Sequence, residues 1–273
     1  MSAPTSAYLM GHTDRERRRL AFQATILKPL TESFFVRAGL ASGMKVLDLG
    51  CGVGDVAMIA ANLVGPGGHV TGIDMDAAAL RIARARAAEA RLRIHFEHGK
   101  VENHHAQEPY DAIVGRHILI HTPDPFAVLA QAAAQVCPGG IVAFQEYDLS
   151  RYFPATPAKP LWEKAMQLKV DFFRRVTHAD IGVRLLQMFS DVGLRNVQSR
   201  AEILLGGGPD CEYYDWMVEG LRSILPMLDA AEVVAAKELA LETLPERLKQ
   251  EALTVGGYVT SPFIVSTSGF RRK

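Results

Sequence analysis

An apolar run that breaks into three alternating glycines constrains this chain more than any other feature. Residues 46–55 read VLDLGCGVGD, and the glycines are Gly50, Gly52 and Gly54. Because glycine has no Cβ, it accepts positive φ angles and lets the backbone approach a ligand closely. The next segment, residues 56–63, has a helical pattern, and a helix N-terminus presents free N–H groups and positive potential. The sequence therefore predicts a strand, a nucleotide-binding turn and a helix.

Two acidic residues stand where predicted strands end. Asp48 lies two residues before the first glycine, where a carboxylate pairs with a ligand ammonium or orders the loop. Asp74 ends a second strand pattern, residues 69–74, in the place of the carboxylate that binds ribose hydroxyl groups in dinucleotide folds. The spacing is Gly-x-Gly-x-Gly, not the Gly-x-Gly-x-x-Gly that holds a pyrophosphate. These features indicate a nucleoside ligand with a positively charged tail and no phosphate.

Strand and helix patterns alternate along the chain, which predicts a parallel sheet. The first strand candidates are residues 45–49, 69–74, 93–97, 112–115 and 141–147. Later segments read as helices at residues 160–176, 180–192, 213–228 and 231–251, and as strands at residues 195–205 and 263–270. Ligands of such sheets bind beyond the carboxyl ends of the strands, where the strand order reverses.

Four motifs in a fixed order resemble one enzyme family. They are residues 46–55, the GIDM of residues 72–75, the YDAIVGRH of residues 110–117 and the CPGG of residues 137–140. With them the chain resembles the class I S-adenosylmethionine-dependent methyltransferases of the bacterial small-molecule type, well over about residues 5–150 and loosely beyond. The resemblance implies an α/β, Rossmann-like, mostly parallel seven-stranded sheet with helices on both faces and a helical cap. It also implies S-adenosyl-L-methionine as cofactor and S-adenosyl-L-homocysteine as product.

The resemblance implies that Asp48 and the glycines hold the methionine moiety, that Asp74 binds the ribose and that Met75 packs on the adenine. One motif departs from the family, which usually has Gly-Asp where residues 99–102 here read GKVE. Lys100 cannot accept a hydrogen bond from the adenine amine, so either the Val101 backbone and Glu102 replace the acid or adenine is held less specifically. The predicted cofactor residues are Tyr8, Gln23, Asp48, Gly50, Cys51, Gly52, Gly54, Asp74, Met75, Lys100, Val101 and Arg116.

The N-terminal segment is a candidate lid. A charged helix is predicted from Thr13 onwards, with an apolar face that includes Phe22 and Ile26. In related enzymes such a segment covers the active site, so Tyr8 and Gln23 are candidate cofactor contacts. A plain packing helix is the alternative.

Polar residues after the fourth and fifth strands are candidates for catalysis. His117 follows the fourth strand, and its ordinary pKa suits a base or an orienter of a hydroxyl or amine acceptor. His121 lies four residues further and is a candidate substrate contact. Glu146 and Tyr147 end the fifth strand, where a carboxylate would assist carbon methylation by stabilising a cation and removing its proton. A structural salt bridge from Glu146 to Arg116 or Arg151 is the alternative.

Aromatic residues after the fifth strand suit a bulky apolar substrate. Tyr152, Phe172 and Phe173 are the candidate substrate contacts. The alternative is that most of these aromatic residues pack the helical cap onto the sheet.

Composition narrows the class of partner. Thirty basic and thirty acidic residues leave no net charge, so the large positive surface of a nucleic-acid-binding protein is not expected. We find no apolar run of membrane-spanning length and no signal-peptide pattern at the start, and therefore expect a cytoplasmic protein without a membrane partner. The three cysteines lack the spacing of a zinc site, so no metal is expected.

The sequence thus predicts a small-molecule methyltransferase of secondary metabolism in three parts. Residues 1–40 form a helical lid, residues 41–150 the S-adenosylmethionine-binding core, and residues 151–273 the end of the sheet with substrate-cap insertions. Methylation of an oxygen on a small apolar or aromatic metabolite is favoured. The alternatives are C- or N-methylation of a natural-product intermediate, which includes prenyl-derived ones, an NAD-dependent oxidoreductase, and a non-catalytic S-adenosylmethionine-binding module. Neither the acceptor nor the oligomeric state follows from the sequence.

Overall fold

The computed structural model describes residues 14–230 and 238–273. Its strands are β1 (Lys45–Leu49), β2 (His69–Asp74), β3 (Ile94–His98), β4 (Tyr110–Arg116), β5 (Val136–Asp148), β6 (Arg195–Glu202), β7 (Leu205–Gly206), β8 (Val259–Thr260) and β9 (Phe263–Phe270). The helices of these residues are α1 (Asp14–Ala38), α2 (Asp55–Val64), α3 (Ala77–Glu89), α4 (Pro125–Gln135), α5 (Pro160–Val176), α6 (Ile181–Asp191), α7 (Tyr213–Ala230) and α8 (Leu244–Val255).

Seven strands form one mixed sheet in the order β3-β2-β1-β4-β5-β9-β6. Strands β1 to β5 pair in parallel, and β9 runs antiparallel between β5 and β6. The strand order reverses at β1, whose neighbours are β2 and β4. A crevice therefore opens at the carboxyl ends of these strands. The predicted fold class is confirmed.

Two hydrophobic cores cover the two faces of the sheet, because successive side chains of a strand point in opposite directions. On β1, Val46 packs into one core and Leu47 into the other. The first core also contains residues of α2 and α3, whereas the second contains residues of α4, α5, α6 and α7. These helices therefore lie on both faces, as predicted.

Helices α5, α7 and α8 contact one another, and α7 also packs against α1. This group, with α1, forms a helical layer beside the carboxyl ends of β4 and β5. The aromatic residues of the layer are largely buried: Trp162 and Tyr214 meet edge to face, as do Phe172 and Phe173. Most of these aromatic residues therefore pack the helical cap onto the sheet, which is the alternative given in the sequence analysis.

Two predicted elements need correction. The helix predicted over residues 231–251 lies partly outside the described residues, and in the described part residues 239–243 form turns before α8 begins. Pro245 explains the break, since a proline donates no backbone N–H and its ring clashes with the carbonyl group four residues earlier, whereas proline is tolerated in a first helical turn. The strand predicted over residues 195–205 ends at Glu202, and the short β7 then pairs with β8 outside the main sheet.

The glycine turn has the backbone that its sequence predicts. Gly50, Gly52 and Gly54 have φ angles of 68°, 51° and 90°. A Cβ on Gly50 would lie 2.5 Å from Cδ1 of Ile118, so the loop after β4 closes directly over the turn. The turn and that loop therefore depend on each other for their positions.

Gly50→Ala should lower the free energy of unfolding by about 2–4 kcal/mol, because the new Cβ combines a left-handed φ with a clash against Ile118. Gly67→Ala is the matched control. Gly67 is exposed and nothing lies within 4 Å of its Cβ position, so its substitution should change stability by less than about 0.5 kcal/mol. Urea unfolding of both variants measures the difference, and equal stabilities would contradict the tight contact.

Candidate functional site

A cavity, here called the central cavity, opens at the carboxyl ends of the parallel strands. It is lined by residues of α1, the glycine turn, the ends of β2, β4 and β5, the loops after them, and α5 and α7. The lining residues are Glu16, Arg17, Arg19, Leu20, Gln23, Gly50, Cys51, Gly52, Val53, Asp55, Val56, Asp74, Met75, Asp76, Ala79, Gly99, Lys100, Val101, Glu102, Arg116, His117, Ile118, Ile120, His121, Thr122, Pro123, Tyr147, Leu149, Lys169, Phe173 and Gly220.

The half of the cavity beside β1 and β2, here called the cofactor half, is organised by Asp74. One carboxylate oxygen accepts the Gly52 N–H at 2.8 Å, and the other accepts the Asp76 N–H at 2.8 Å. A carboxylate has about four acceptor positions and can accept more hydrogen bonds than these two. Asp74 thereby connects the glycine turn to the start of α3.

The predicted adenine contacts meet at the outer end of this half. Met75 is 39% exposed, and its carbonyl oxygen contacts the His98 ring at 3.0 Å. Lys100 is exposed, whereas Val101 is buried at the start of a short 3-10 helix. Both line the cavity together with Glu102, so the GKVE motif does reach the site.

Some predicted site residues do not reach the cavity. Asp48 is fully buried, and both its carboxylate oxygens lack a hydrogen-bond partner among the described residues. Burial raises the pKa of Asp48 well above its usual value, although the nearby charge of Arg116 opposes this shift. Gly54 begins α2 behind the turn, and Tyr152 and Phe172 pack in or against the core. Tyr8 lies outside the described residues.

Cys51 lines the cavity as a neutral thiol. Burial raises the pKa of Cys51 strongly, and the charges of Asp48 and Asp74 raise it further. All three cysteines are free, and no group of three or more metal-ligating side chains occurs in residues 14–230 and 238–273. In the same residues, no helix is long and apolar enough to span a membrane.

The other half of the cavity, here called the acceptor half, lies beyond β4 and β5. His117 has a φ angle of 54°, which non-glycine residues adopt rarely and mostly where surrounding contacts enforce it. Its N–H donates to the Gln145 carbonyl at 2.9 Å, and its ring stacks on Tyr147 with centroids 3.8 Å apart. The unusual backbone therefore directs the imidazole across the end of β5.

Hydrogen bonds to Gln23 determine which nitrogen of His117 carries the proton. The Gln23 side-chain oxygen accepts from Arg19 at 2.9 Å and from the Trp216 indole N–H at 3.4 Å. Both partners are donors only, so the Gln23 amide nitrogen must be the atom that faces His117 Nδ1, at 3.3 Å. That nitrogen donates, and Nδ1 accepts. The proton of neutral His117 consequently lies on Nε2, which is buried without a partner in the described residues.

Both histidines are neutral at neutral pH. Burial lowers the pKa of His117 well below its usual value, and the positive charges of Arg116, Arg19 and Lys169 lower it further. Burial and the charge of Arg19 lower the pKa of His121 to about 4. The acceptor half therefore presents uncharged imidazole groups.

Arg116, a predicted cofactor contact, and Tyr147, a predicted catalytic residue, both line the cavity. The guanidinium of Arg116 donates to the Thr31 hydroxyl at 3.0 Å. Burial lowers the pKa of Arg116 and raises that of Tyr147. The Tyr147 hydroxyl is buried without a hydrogen-bond partner among the described residues.

Glu146 is placed differently from its predicted catalytic position. It is fully buried and does not line the cavity. One carboxyl oxygen accepts the Ile118 N–H at 2.9 Å and the Leu119 N–H at 2.8 Å. Neither Arg116 nor Arg151 pairs with it in the described structure, so the salt-bridge alternative is also incorrect. Its side chain instead supports the loop that carries His117 and His121.

Burial raises the pKa of Glu146 to about 8, although the backbone N–H groups of Leu119 and Ile118 oppose the shift. The side chain is therefore mostly protonated at neutral pH. A protonated carboxyl group behind the loop is a poor stabiliser of a cation in the cavity. The structure thus argues against the role of Glu146 in carbon methylation.

Three residues that shape the acceptor half were missed from the sequence. Arg19 and Trp216 orient Gln23, and Lys169 contributes a buried ammonium group to the cavity wall. Lys169 lies three residues before Phe172 in an amphipathic helix, where a lysine is usually exposed. No sequence motif identifies these three residues as part of the site.

A family model described as a methyltransferase domain matches residues 40–193 of the chain. A ubiquinone biosynthesis O-methyltransferase of Klebsiella pneumoniae is 40% identical over 110 residues, which are 40% of this chain and 44% of that protein. The protein of the same name from Yersinia pestis is 37% identical over 121 residues, or 43% of this chain and 49% of that protein. The chain thus spans less than half the length of these curated relatives.

Solved structures show the same fold over most of the chain. The YcgJ protein of Bacillus subtilis has a TM-score of 0.58 at 15% identity and covers 89% of this chain and 98% of its own. Phosphoethanolamine N-methyltransferase 2 of Haemonchus contortus, in complex with phosphomonomethylethanolamine and S-adenosylhomocysteine, has a TM-score of 0.58 at 14% identity. That match covers 90% of this chain and 53% of the other. At these identities the likeness concerns the fold alone.

Glu146→Ala should lower the free energy of unfolding by about 2–4 kcal/mol, because two buried N–H groups lose their acceptor. Glu146→Gln keeps an oxygen that accepts both N–H groups and is the matched control. Urea unfolding compares the two variants. Equal losses in both would contradict the role of this hydrogen-bond pair.

The raised pKa of Glu146 predicts that the stability difference between wild type and Glu146→Gln depends on pH. The pKa of Glu146 is raised in the folded state, so the folded protein holds this proton more tightly than the unfolded chain does. Its contribution to stability is complete below the unfolded pKa and is lost as pH rises towards about 8. The stability of wild type relative to Glu146→Gln should therefore fall between about pH 5 and pH 8. A constant difference would contradict the raised pKa.

Proposed function

The chain belongs to the class I S-adenosylmethionine-dependent methyltransferases, and we propose that it methylates a hydroxyl or phenolic oxygen of a small apolar or aromatic metabolite. The observation that carries this proposal is the neutral, donor-bearing Nε2 atom of His117 in the acceptor half. The names of the relatives, which are O-methyltransferases, support it. C- or N-methylation of a natural-product intermediate is the alternative.

The cofactor half fits S-adenosylmethionine in two respects. The Asp74 carboxylate stands at the end of β2, where it can accept ribose hydroxyl groups, and the backbone at Gly50 and Gly52 leaves room where a side chain would intrude. In this assignment Met75 and Val101 lie beside the adenine. Once bound, the cofactor supplies an already activated methyl group, so the protein's main task is to position the acceptor.

We assign His117 to the acceptor oxygen. Nε2–H donates to that oxygen and orients one of its lone pairs towards the cofactor half, while the Tyr147 ring holds the imidazole plane. In this protonation state Nε2 cannot act as a base, because it already carries the proton. The acceptor therefore loses its proton to solvent and is held as an oxyanion, which the hydrogen bond from Nε2 stabilises.

The lid remains a proposal that α1 supports. Its N-terminal half supplies Glu16, Arg17, Arg19, Leu20 and Gln23 to the cavity, whereas Phe34 and Phe35 near its C-terminal end are buried in a core. Anchored at one end, the helix covers the site at the other. Division of the chain into this lid, a cofactor core and a cap is our working assignment.

The experiment that tests the function uses labelled S-adenosylmethionine with three sets of acceptors: phenols and alcohols, amines, and prenyl alkenes. Mass spectrometry then locates the methyl group. Methylation at oxygen supports the proposal. Products methylated only at nitrogen or carbon would replace it with the alternative.

Asp74→Asn should weaken binding of S-adenosylhomocysteine by about 1.5–3 kcal/mol, because one charged acceptor of the ribose hydroxyl groups becomes a donor. Asp111→Asn is the matched control. Asp111 also accepts a backbone N–H, that of Lys45 at 2.8 Å, but does not line the cavity. Titration calorimetry measures both affinities. Unchanged affinity in Asp74→Asn would remove this residue from the ribose site.

The pH dependence of kcat/KM tests the role of His117. If Nε2–H only donates, the midpoint of the rise with pH should follow the phenol pKa of the acceptor, so 4-nitrocatechol should shift it below that of catechol. Gln23→Glu should end this dependence on the acceptor. The new carboxylate accepts a hydrogen bond from Nδ1–H of His117, so the proton moves from Nε2 to Nδ1 and Nε2 becomes a base.

Gln187→Glu makes the same chemical change on the exposed face of α6 and controls for added charge. It should retain the wild-type dependence on the acceptor. A wild-type midpoint that is the same for both catechols would show that His117, or another protein group, is the base.

A further inference from the structure

Lys169 is a buried lysine on the wall of the acceptor half. Lys169 is only 9% exposed, yet it lines the central cavity. In the described part of the chain it makes no hydrogen bond and no ion pair. Its nearest recorded contact is the Trp216 ring, whose centroid lies 5.8 Å from Nζ. A buried charge without a partner is costly, so this ammonium group points to a ligand that supplies one.

The cations near Lys169 have hydrogen-bond partners within the protein. Arg19 binds Glu16 through two hydrogen bonds of 2.9 Å and 2.7 Å, and therefore forms a neutral pair. His117 and His121 are uncharged. Arg116 donates to the Thr31 hydroxyl at 3.0 Å, so its guanidinium group has a hydrogen-bond partner. Among the described residues, Lys169 is thus the cation on this wall that has neither a hydrogen bond nor an ion pair.

The helix opposite makes room for this ammonium group. Gly220 lies inside α7 and lines the same cavity, and a Cβ there would lie 3.1 Å from Lys169 Nζ. Glycine inside a helix costs about 1 kcal/mol relative to alanine. Apolar side chains, among them Phe173, Leu149 and Ile120, form the nearby walls. The local chemistry is a single cation in an apolar pocket.

We propose that the acceptor is a monoanion with an apolar or aromatic body, and that Lys169 binds its carboxylate. The one unpartnered ammonium group that the described residues place on this wall matches one negative charge, whereas a phosphate dianion needs more donors than this wall offers. This inference rests on the proposed function, since it names the class of molecule that enters the acceptor half. Lys169 would then select the substrate and fix which hydroxyl group reaches His117.

The test measures binding to the protein loaded with S-adenosylhomocysteine. The probes are 3,4-dihydroxybenzoate, its uncharged methyl ester, and phenyl phosphate. Lys169→Met is the test variant. Lys164→Met is the matched control, because Lys164 lies on the same helix but is exposed and pairs with Glu238 at the surface.

We expect wild type to bind the carboxylate more tightly than the ester or the phosphate. Lys169→Met should weaken carboxylate binding by about 30-fold or more and leave ester binding within about twofold. Lys164→Met should change neither. Tighter binding of the ester or of phenyl phosphate, no detectable carboxylate binding by wild type, or an unchanged carboxylate affinity in Lys169→Met would overturn the proposal.

A second measurement separates this role from a structural one. Because Lys169→Met replaces an unpaired buried charge with an apolar side chain, its melting temperature should equal or exceed that of wild type. Its affinity for S-adenosylhomocysteine should be unchanged. A lower melting temperature, or weaker binding of S-adenosylhomocysteine, would assign Lys169 to folding or to the cofactor and overturn the proposal.

The outcome is also separable from that of the proposed function. Methylation of neutral catechols without preference for carboxylates would overturn this inference and leave O-methylation intact. If carboxylate binding depends on Lys169 but the methyl group is found on nitrogen or carbon, the role of Lys169 is supported and the proposed O-methylation is overturned.

Discussion

The buried carboxyl group of Glu146 holds together the acceptor half of the central cavity. Two backbone N–H groups of the loop after β4 donate to one of its oxygens. The same loop carries His117 in a left-handed conformation and places Ile118 against Gly50. One hydrogen-bonded side chain therefore links the acceptor half to the glycine turn.

The sheet and the cofactor half could be predicted because local rules determine them. A glycine turn after an apolar strand has few alternatives, and Gly50, Gly52 and Gly54 adopt the positive φ angles expected of them. Asp74 was found for the same reason: parallel strands end at one edge, so an acid at the end of β2 must lie beside the turn after β1. Elsewhere, local pattern misled, as at the helix that Pro245 interrupts.

The acceptor half could not be predicted, because contacts between distant segments determine it. Gln23 and His117 are 94 residues apart, and the donors that show which way the Gln23 amide points come from Arg19 and from Trp216 in a third segment. Glu146 is of a residue type that is often catalytic, but its side chain is buried behind the loop after β4 and accepts hydrogen bonds from it. Lys169 is of a residue type that is usually exposed, but it lies buried on the cavity wall. In each case the residue type was visible and its environment was not.

The place of β9 has a consequence for the order of folding. This strand comes from the last part of the described chain, yet it lies inside the sheet, between β5 and β6. Strand β6 pairs with β9 and with no other strand of the main sheet. During synthesis, β6 leaves the ribosome before its only neighbour exists, and β5 presents an open edge until β9 arrives. Completion of the sheet is therefore a late, long-range event, and the nascent chain carries unpaired strand edges of the kind on which chaperones act.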